Sequence, residues 1–245
     1  MFNKAGIFWA ILIVAFITNG SFAGSGNPGK TNTSRDSAGL ALPMIAPWIT
    51  VYHGLRLDSL GLSSTAFEQA LAGWNHLKEK GQLRNQSILT IADFSQPSTA
   101  KRLYIIDVEK NELLFHTYVA HGRNSGLEQA VSYSNKAKSH KSSPGFYRTE
   151  ATYMGSNGYS LKLSGLEKGI NDNAYRRAIV VHGADYVSEQ LIRNQGYLGR
   201  SYGCPAVPKE LARPIIDAIK DGSCLYIYTP APQYAQLSRF VSRGS

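Results

Sequence analysis

Two stretches hold the residues whose types and spacing suit covalent chemistry. Ala178-Ile179-Val180-Val181-His182-Gly183 reads as a buried strand that delivers a histidine and a glycine at its end. Gly199-Arg200-Ser201-Tyr202-Gly203-Cys204-Pro205-Ala206-Val207 sets a cysteine directly after a glycine in a tight turn. Cysteine attacks as its thiolate, and an imidazole within reach accepts the proton. His182 is the candidate base for Cys204. Gly203 can take a positive φ and let a substrate approach closely. Backbone N–H groups in such a turn can stabilise an oxyanion. Ser201 is a candidate to orient the imidazole or to accept from it. Chemistry of this kind needs neither metal nor cofactor.

Other chemistries compete for the same residues. Cys204 and Cys224 are the two cysteines of the chain, and in an oxidising compartment they could form a disulfide. A redox pair is disfavoured because they are far from a C-x-x-C spacing. A zinc site using Cys204, His182 and another histidine lacks closely spaced ligands. A non-catalytic binding module is a further alternative. It is disfavoured because Cys204, His182, Ser201 and Gly203 are all present.

These residues must be positioned by a β-rich body. After Asn85 the hydrophobic period becomes two. Strands are predicted at 87–94, 102–109, 113–120, 145–153, 159–163, 178–182 and 224–229, with a turn at Lys110-Asn111. Strands and helices do not alternate as a doubly wound fold requires. The expectation is a mainly β, β-rich α+β body with mostly antiparallel pairing and peripheral helices. One helix is expected at 65–80, where Phe67, Ala70, Leu71, Trp74 and Leu77 recur at helical spacing behind a Thr65–Glu68 capping box. Others are expected at 186–194 and 208–221, the last with a kink or restart at Pro214.

Several further residues invite a role. His121-Gly122-Arg123-Asn124-Ser125-Gly126 is a Gly-rich turn that could rim a cleft or simply connect two strands. His140 lies in a polar loop. Tyr147, Tyr153 and Tyr159 are candidates to line a cleft. His76 reads as a packing residue of the first helix.

The 245 residues carry 26 Lys plus Arg against 17 Asp plus Glu, a net charge of +9, and 43% are hydrophobic. That excludes a disordered chain and leaves room for a sizeable core. No apolar run allows a multi-pass membrane protein. Lys4, the apolar run from Ala5 to Ile17 and Ser21-Phe22-Ala23 describe a secretory signal, with cleavage expected after Ala23. Residues 24–62 then read as a flexible or uncertain linker, rich in Gly, Ser, Asn and Thr over 24–40 and mixed over 41–62, residues 63–230 as the catalytic domain and 231–245 as a tail. An exported basic chain suits an anionic partner such as a carboxylate-rich wall polymer. Nucleic acid is the least suitable partner, and no stable membrane insertion is expected after signal cleavage.

His182-Gly183 followed by Ser201-x-Gly203-Cys204 resembles the signature of the YkuD-like L,D-transpeptidases, in particular their murein L,D-transpeptidase catalytic domain branch. Ile91-Ala92-Asp93-Phe94-Ser95, Val119-Ala120-His121-Gly122, Tyr133-Ser134-Asn135, Ser142-Ser143-Pro144-Gly145-Phe146-Tyr147 and Leu163-Ser164-Gly165-Leu166-Glu167 extend the resemblance across about residues 64–229. It implies a β-sandwich-like catalytic domain in the periplasm or cell envelope that acts on peptidoglycan stem peptides. Cys204 would be the nucleophile and His182 the base, with Ser201 and Gly203 shaping the pocket. Gly183, Arg200, Tyr202 and Arg177 would contact substrate. The reaction implied is 3→3 cross-linking, with an L,D-carboxypeptidase that uses water as acceptor as the alternative. No cofactor or metal is implied. Ala206 stands where the commoner family pattern has an arginine, which leaves substrate-carboxylate binding unassigned; Arg200, Arg176 or Arg177 could supply the charge. Tyr202 stands where many relatives carry a second histidine.

Overall fold

The structure, a computed structural model, describes residues 47–241, all within one compact unit. The expected signal at 1–23 and the Gly/Ser-rich stretch at 24–40 lie outside the described residues. Eight strands form one sheet: β1 (Ile88–Asp93), β2 (Leu103–Asp107), β3 (Glu112–Thr117), β4 (Gly145–Gly155), β5 (Gly158–Gly165), β6 (Val180–Ala184), β7 (Ala206–Pro208) and β8 (Cys224–Tyr228). Their order is β3-β2-β1-β8-β4-β5-β6-β7. Most pairs are antiparallel, but β1 with β8 and β6 with β7 run parallel, so the sheet is mixed. The class is β-rich α+β, as the sequence predicts.

The two edges of the sheet meet. Chain leaving β3 forms an antiparallel bridge from Ala120 to Ala206 in β7 and a parallel bridge from Gly122 to Ser201. The Ala120 N–H donates to the Ala206 carbonyl at 2.8 Å. This seam almost closes the sheet into a barrel and gives the edge strands partners.

β1, β2 and β8 are buried along their whole length. Both faces are covered, which is why their sequences are nearly continuous apolar runs. Ile88, Ala92, Leu225 and Ile227 face one core, together with Ile215, Ile216 and Ile219 of helix α4 (Ala212–Ile219). Leu89, Ile91, Cys224, Tyr226 and Tyr228 face the other, with Phe67, Ala70, Trp74 and Leu77 of helix α2 (Ser64–Glu79). Each large side chain removed from water here stabilises the fold by about 1.5–3 kcal/mol.

The expected capping box does not form. The helix starts one residue earlier than Thr65, and Ser63 Oγ accepts from the Ala66 N–H at 3.3 Å. The Ser63 N–H is itself fixed by the buried Asp93 carboxylate at 3.0 Å. Pro214 proves compatible with helix because a short 3₁₀ turn at Lys209–Leu211 precedes α4, which restarts at Ala212. Pro214 then falls in the first turn, where no intrahelical N–H bond is required.

Three elements carried no clear local signal. They are helix α1 (Pro47–Gly54), the short β7, and the C-terminal helix α5 (Pro232–Leu237). Tyr52, Leu57 and Leu62, in and after α1, are buried in the α2-side core. Tyr234 of α5 is buried there too, its hydroxyl donating to the Glu167 carboxylate at 3.1 Å. The remaining helix, α3 (Glu189–Gln195), follows β6 and is capped by Ser188.

Candidate active site

The seam of the barrel positions the reactive residues. β6 carries His182, which pairs in register with Ala206 of β7. Cys204 lies two residues before Ala206 and therefore alongside Val180 at the start of β6. Its thiol lies 3.7 Å from the Ala178 carbonyl. Ala178 adopts φ +54, uncommon for a residue with a side chain. Burial raises the Cys204 pKa, partly offset by the Val180 N–H and the positive charge of Arg177. The resting group is therefore a thiol that needs a base.

His182 is buried, and its Nδ1 donates to the Gly183 carbonyl at 3.0 Å. That bond places the ring proton on Nδ1 and leaves Nε2 with its lone pair. Burial lowers the His182 pKa, so the ring is neutral at physiological pH. His182 and Cys204 both line an open cleft of about 560 Å³.

Ser201 shapes the turn rather than the ring. Its Oγ donates to the Cys204 carbonyl at 2.6 Å and accepts the Gly203 N–H at 3.0 Å. The imidazole is held by Gly183, not by Ser201. The Gly203 N–H is likewise engaged and is not free to bind an oxyanion. Gly203 itself has φ +124, and a Cβ there would stand 2.8 Å from the Lys141 carbonyl. Both conformation and space therefore require glycine at this position.

A wholly buried arginine supports the seam from behind. Arg102 donates to the Val119 carbonyl at 3.2 and 3.1 Å, to the Gln96 carbonyl at 2.7 Å and to His121 Nδ1 at 2.8 Å. Its guanidinium also lies 4.7 Å from the Phe94 ring centroid. No carboxylate pairs with it among the described residues, and desolvation lowers its pKa to about 10. His121 accepts from Arg102, so its proton sits on Nε2, which donates to the Gly126 carbonyl at 3.3 Å. Burial and the Arg102 charge push the His121 pKa down to about 4. The His121 carbonyl then accepts the Ser201 N–H at 3.0 Å. The chain of contacts runs from Arg102 through His121 to the turn that carries Cys204.

The other expected residues divide. Arg200 and Tyr202 line the cleft with Cys204, His182 and Ser201. Gly183 does not line it: a Cβ there would lie 2.7 Å from Ala212 Cβ, so this glycine permits close packing of α4. Arg177 does not line it either. It donates to the Ser134 carbonyl at 2.8 Å, Ser143 Oγ at 2.5 Å and the Lys141 carbonyl at 2.6 Å, pinning the 134–143 loop. Tyr147 is wholly buried and donates to the Ser143 carbonyl. Tyr153 lines a separate hollow with Lys162 and Tyr175, and Tyr159 donates to Asp217. Neither reaches the cleft. Arg123, in the turn expected either to rim a cleft or to connect two strands, lines this cleft, and so do Asn157, Tyr186, Gln195 and Tyr197, to which the sequence assigns no role. For Arg123 the available signal was the Gly-rich turn after a strand. For the others there was none.

Cys224 is a separate case. Both cysteines are free, and Cys224 is buried on the sheet face away from Cys204. Its apolar surroundings push its thiol pKa far up.

A family model described as L,D-transpeptidase catalytic domain matches residues 58–228, most of the chain. The chain belongs to that family. No curated protein matches it. Among solved structures, an L,D-transpeptidase from Mycobacterium smegmatis is 13% identical with a TM-score of 0.37, covering 58% of this chain and 59% of that one. An L,D-transpeptidase from Stackebrandtia nassauensis is also 13% identical, with a TM-score of 0.36 and 69% coverage of each chain. This L,D-transpeptidase-family chain thus spans little more than half the length of the first of these. Likeness at that level transfers no residue roles. Those of Cys204, His182 and Ser201 rest on the geometry of the seam and the cleft.

Proposed function

We propose that the protein is an exported L,D-transpeptidase of the peptidoglycan, working in the periplasm or cell envelope by cysteine acyl transfer. The observation that carries this reading is the sharing of one cleft by Cys204 and His182, with His182 Nδ1 committed to the Gly183 carbonyl. Nε2 then takes the Cys204 proton, and the sulfur attacks the carbonyl of the third residue, a diaminopimelate, in a stem tetrapeptide. The oxyanion is held by the N–H of Cys204 itself, since that of Gly203 is engaged. His182 protonates the leaving amine, and D-Ala departs. An amine of a second stem peptide resolves the thioester and gives the 3→3 cross-link. Water in its place gives a tripeptide. The chemistry requires no cofactor.

The test uses residues 24–245, wild type and Cys204→Ala, with a purified disaccharide-tetrapeptide. Mass spectrometry is expected to show D-Ala release and a dimeric product from the wild type and neither from the variant. A tripeptide alone would make the enzyme a carboxypeptidase. Turnover by Cys204→Ala would overturn the mechanism.

A further inference from the structure

We propose that Arg123 is the residue that binds a substrate carboxylate in this cleft. The inference rests on the stem-peptide reading above and names how that substrate is recognised.

Ala206 cannot be the place for such a group, because it is wholly buried against Ala120, Ala184, Val187 and Leu198. The charge must come from elsewhere, and the arginines around the nucleophile differ in what they already hold. Arg177 is engaged by the 134–143 loop. Arg176 donates to Asn173 and is not part of the cleft. Arg200 lines the cleft, but its Nη1 donates to the carbonyls of Arg123 at 3.3 Å and Gly126 at 3.2 Å.

Arg123 is different. It is exposed and lines the cleft, and among the described residues its guanidinium makes no hydrogen bond or ion pair. Its backbone is nonetheless fixed to the nucleophile turn, with its N–H donating to the Ser201 carbonyl at 2.8 Å. Its guanidinium lies 5.5 Å from the Tyr202 ring centroid, and the same ring is backed by His140 at 4.5 Å. A cation–π contact of this kind leaves the guanidinium N–H groups free, and a free guanidinium is suited to bidentate binding of a carboxylate. Among the described residues no Asp or Glu lines the cleft to compete for it.

A tetrapeptide offers more than one carboxylate, chiefly those of the terminal D-Ala and of the diaminopimelate side chain. The test is calorimetric binding of the disaccharide-tetrapeptide to Cys204→Ala protein, with and without Arg123→Gln or Arg123→Lys. Two analogues are run beside it, one amidated at the C-terminus and one at the diaminopimelate side chain. Arg123→Gln is expected to weaken binding of the parent peptide roughly ten- to a hundredfold, the loss of one charge-assisted contact. Arg123→Lys is expected to lie between. One amidated analogue should already be weakened and lose nothing further in Arg123→Gln, and it identifies the carboxylate. In protein that retains Cys204, Arg123→Gln should alkylate with iodoacetamide at the wild-type rate.

An affinity changed less than twofold, an equal loss for parent and both amides, or no binding of any peptide overturns the assignment. Arg123-dependent binding without D-Ala release by the wild type would instead remove the proposed reaction and leave this site standing.

Discussion

The two thiols of this chain occupy opposite faces of one sheet. Cys224 points into the core beneath α2 and meets only apolar surface. Cys204 sits at the seam where the sheet nearly closes, half-buried, beside a backbone N–H, a guanidinium and a cleft shared with His182. Burial raises both pKa values, so depth alone does not separate the two thiols. The difference is the polar groups that a strand end and a tight turn bring to the sulfur. A regular strand interior cannot supply them, because its N–H groups are already paired in the ladder.

The largest contrast lies between the cysteines themselves. Cys204→Ala should abolish D-Ala release, whereas Cys224→Ala should retain it within about threefold and lose only about 1–2 kcal/mol of stability, measured by urea unfolding. Equal loss of activity in both would erase the distinction. Next comes the base: His182→Gln should slow D-Ala release by about 10²–10⁴-fold. Because burial holds the His182 pKa below 6.5, wild-type turnover should persist at pH 6.5 and fall only on further acidification.

The support of the seam gives a smaller effect that appears in stability. His121 has a folded pKa of about 4 against an unfolded value near 6.5. Below pH 6.5 the unfolded state binds the proton first. Stability should therefore fall as pH drops from 6.5 toward 4, by up to roughly 3 kcal/mol. His121→Gln should flatten that part of the profile in urea titrations. A slope unchanged by the substitution would detach His121 from the seam's behaviour. The smallest effect concerns Arg177. Removing its charge in Arg177→Met should move the midpoint of Cys204 alkylation to higher pH, with Arg177→Lys partly restoring it. A midpoint that stayed put would mean that Arg177 serves the 134–143 loop alone.

Much of this was legible in the sequence, for local reasons. Short apolar runs, alternating or continuous, marked seven of the eight strands, and the stripe from Phe67 to Leu77 marked α2. His182 and Cys204 stood out because a histidine at a strand end and a cysteine after a glycine suit a base and a nucleophile, and the surrounding motifs resembled one family. The rest is long-range. β7 is three residues long and exists as a strand because β6 and the Ala120 segment flank it. The closure of the sheet joins residues about eighty positions apart, and no local pattern announces it. Ser63 displaced Thr65 as the cap because Asp93, thirty residues on, fixes its backbone. Ser201 was expected to orient the imidazole and Arg177 to contact substrate. Their partners in the fold instead tie Ser201 to Gly203 and the Cys204 carbonyl, and Arg177 to the 134–143 loop.

The mechanism depends on Cys204 being the group that carries the acyl chain. The direct test is to mix wild-type protein with the disaccharide-tetrapeptide, quench at short times, digest and map the adduct by mass. The expected result is a thioester on the peptide containing Cys204, none on that containing Cys224, and none anywhere in Cys204→Ala. D-Ala release with the adduct on another residue, or continued release from Cys204→Ala, would contradict it.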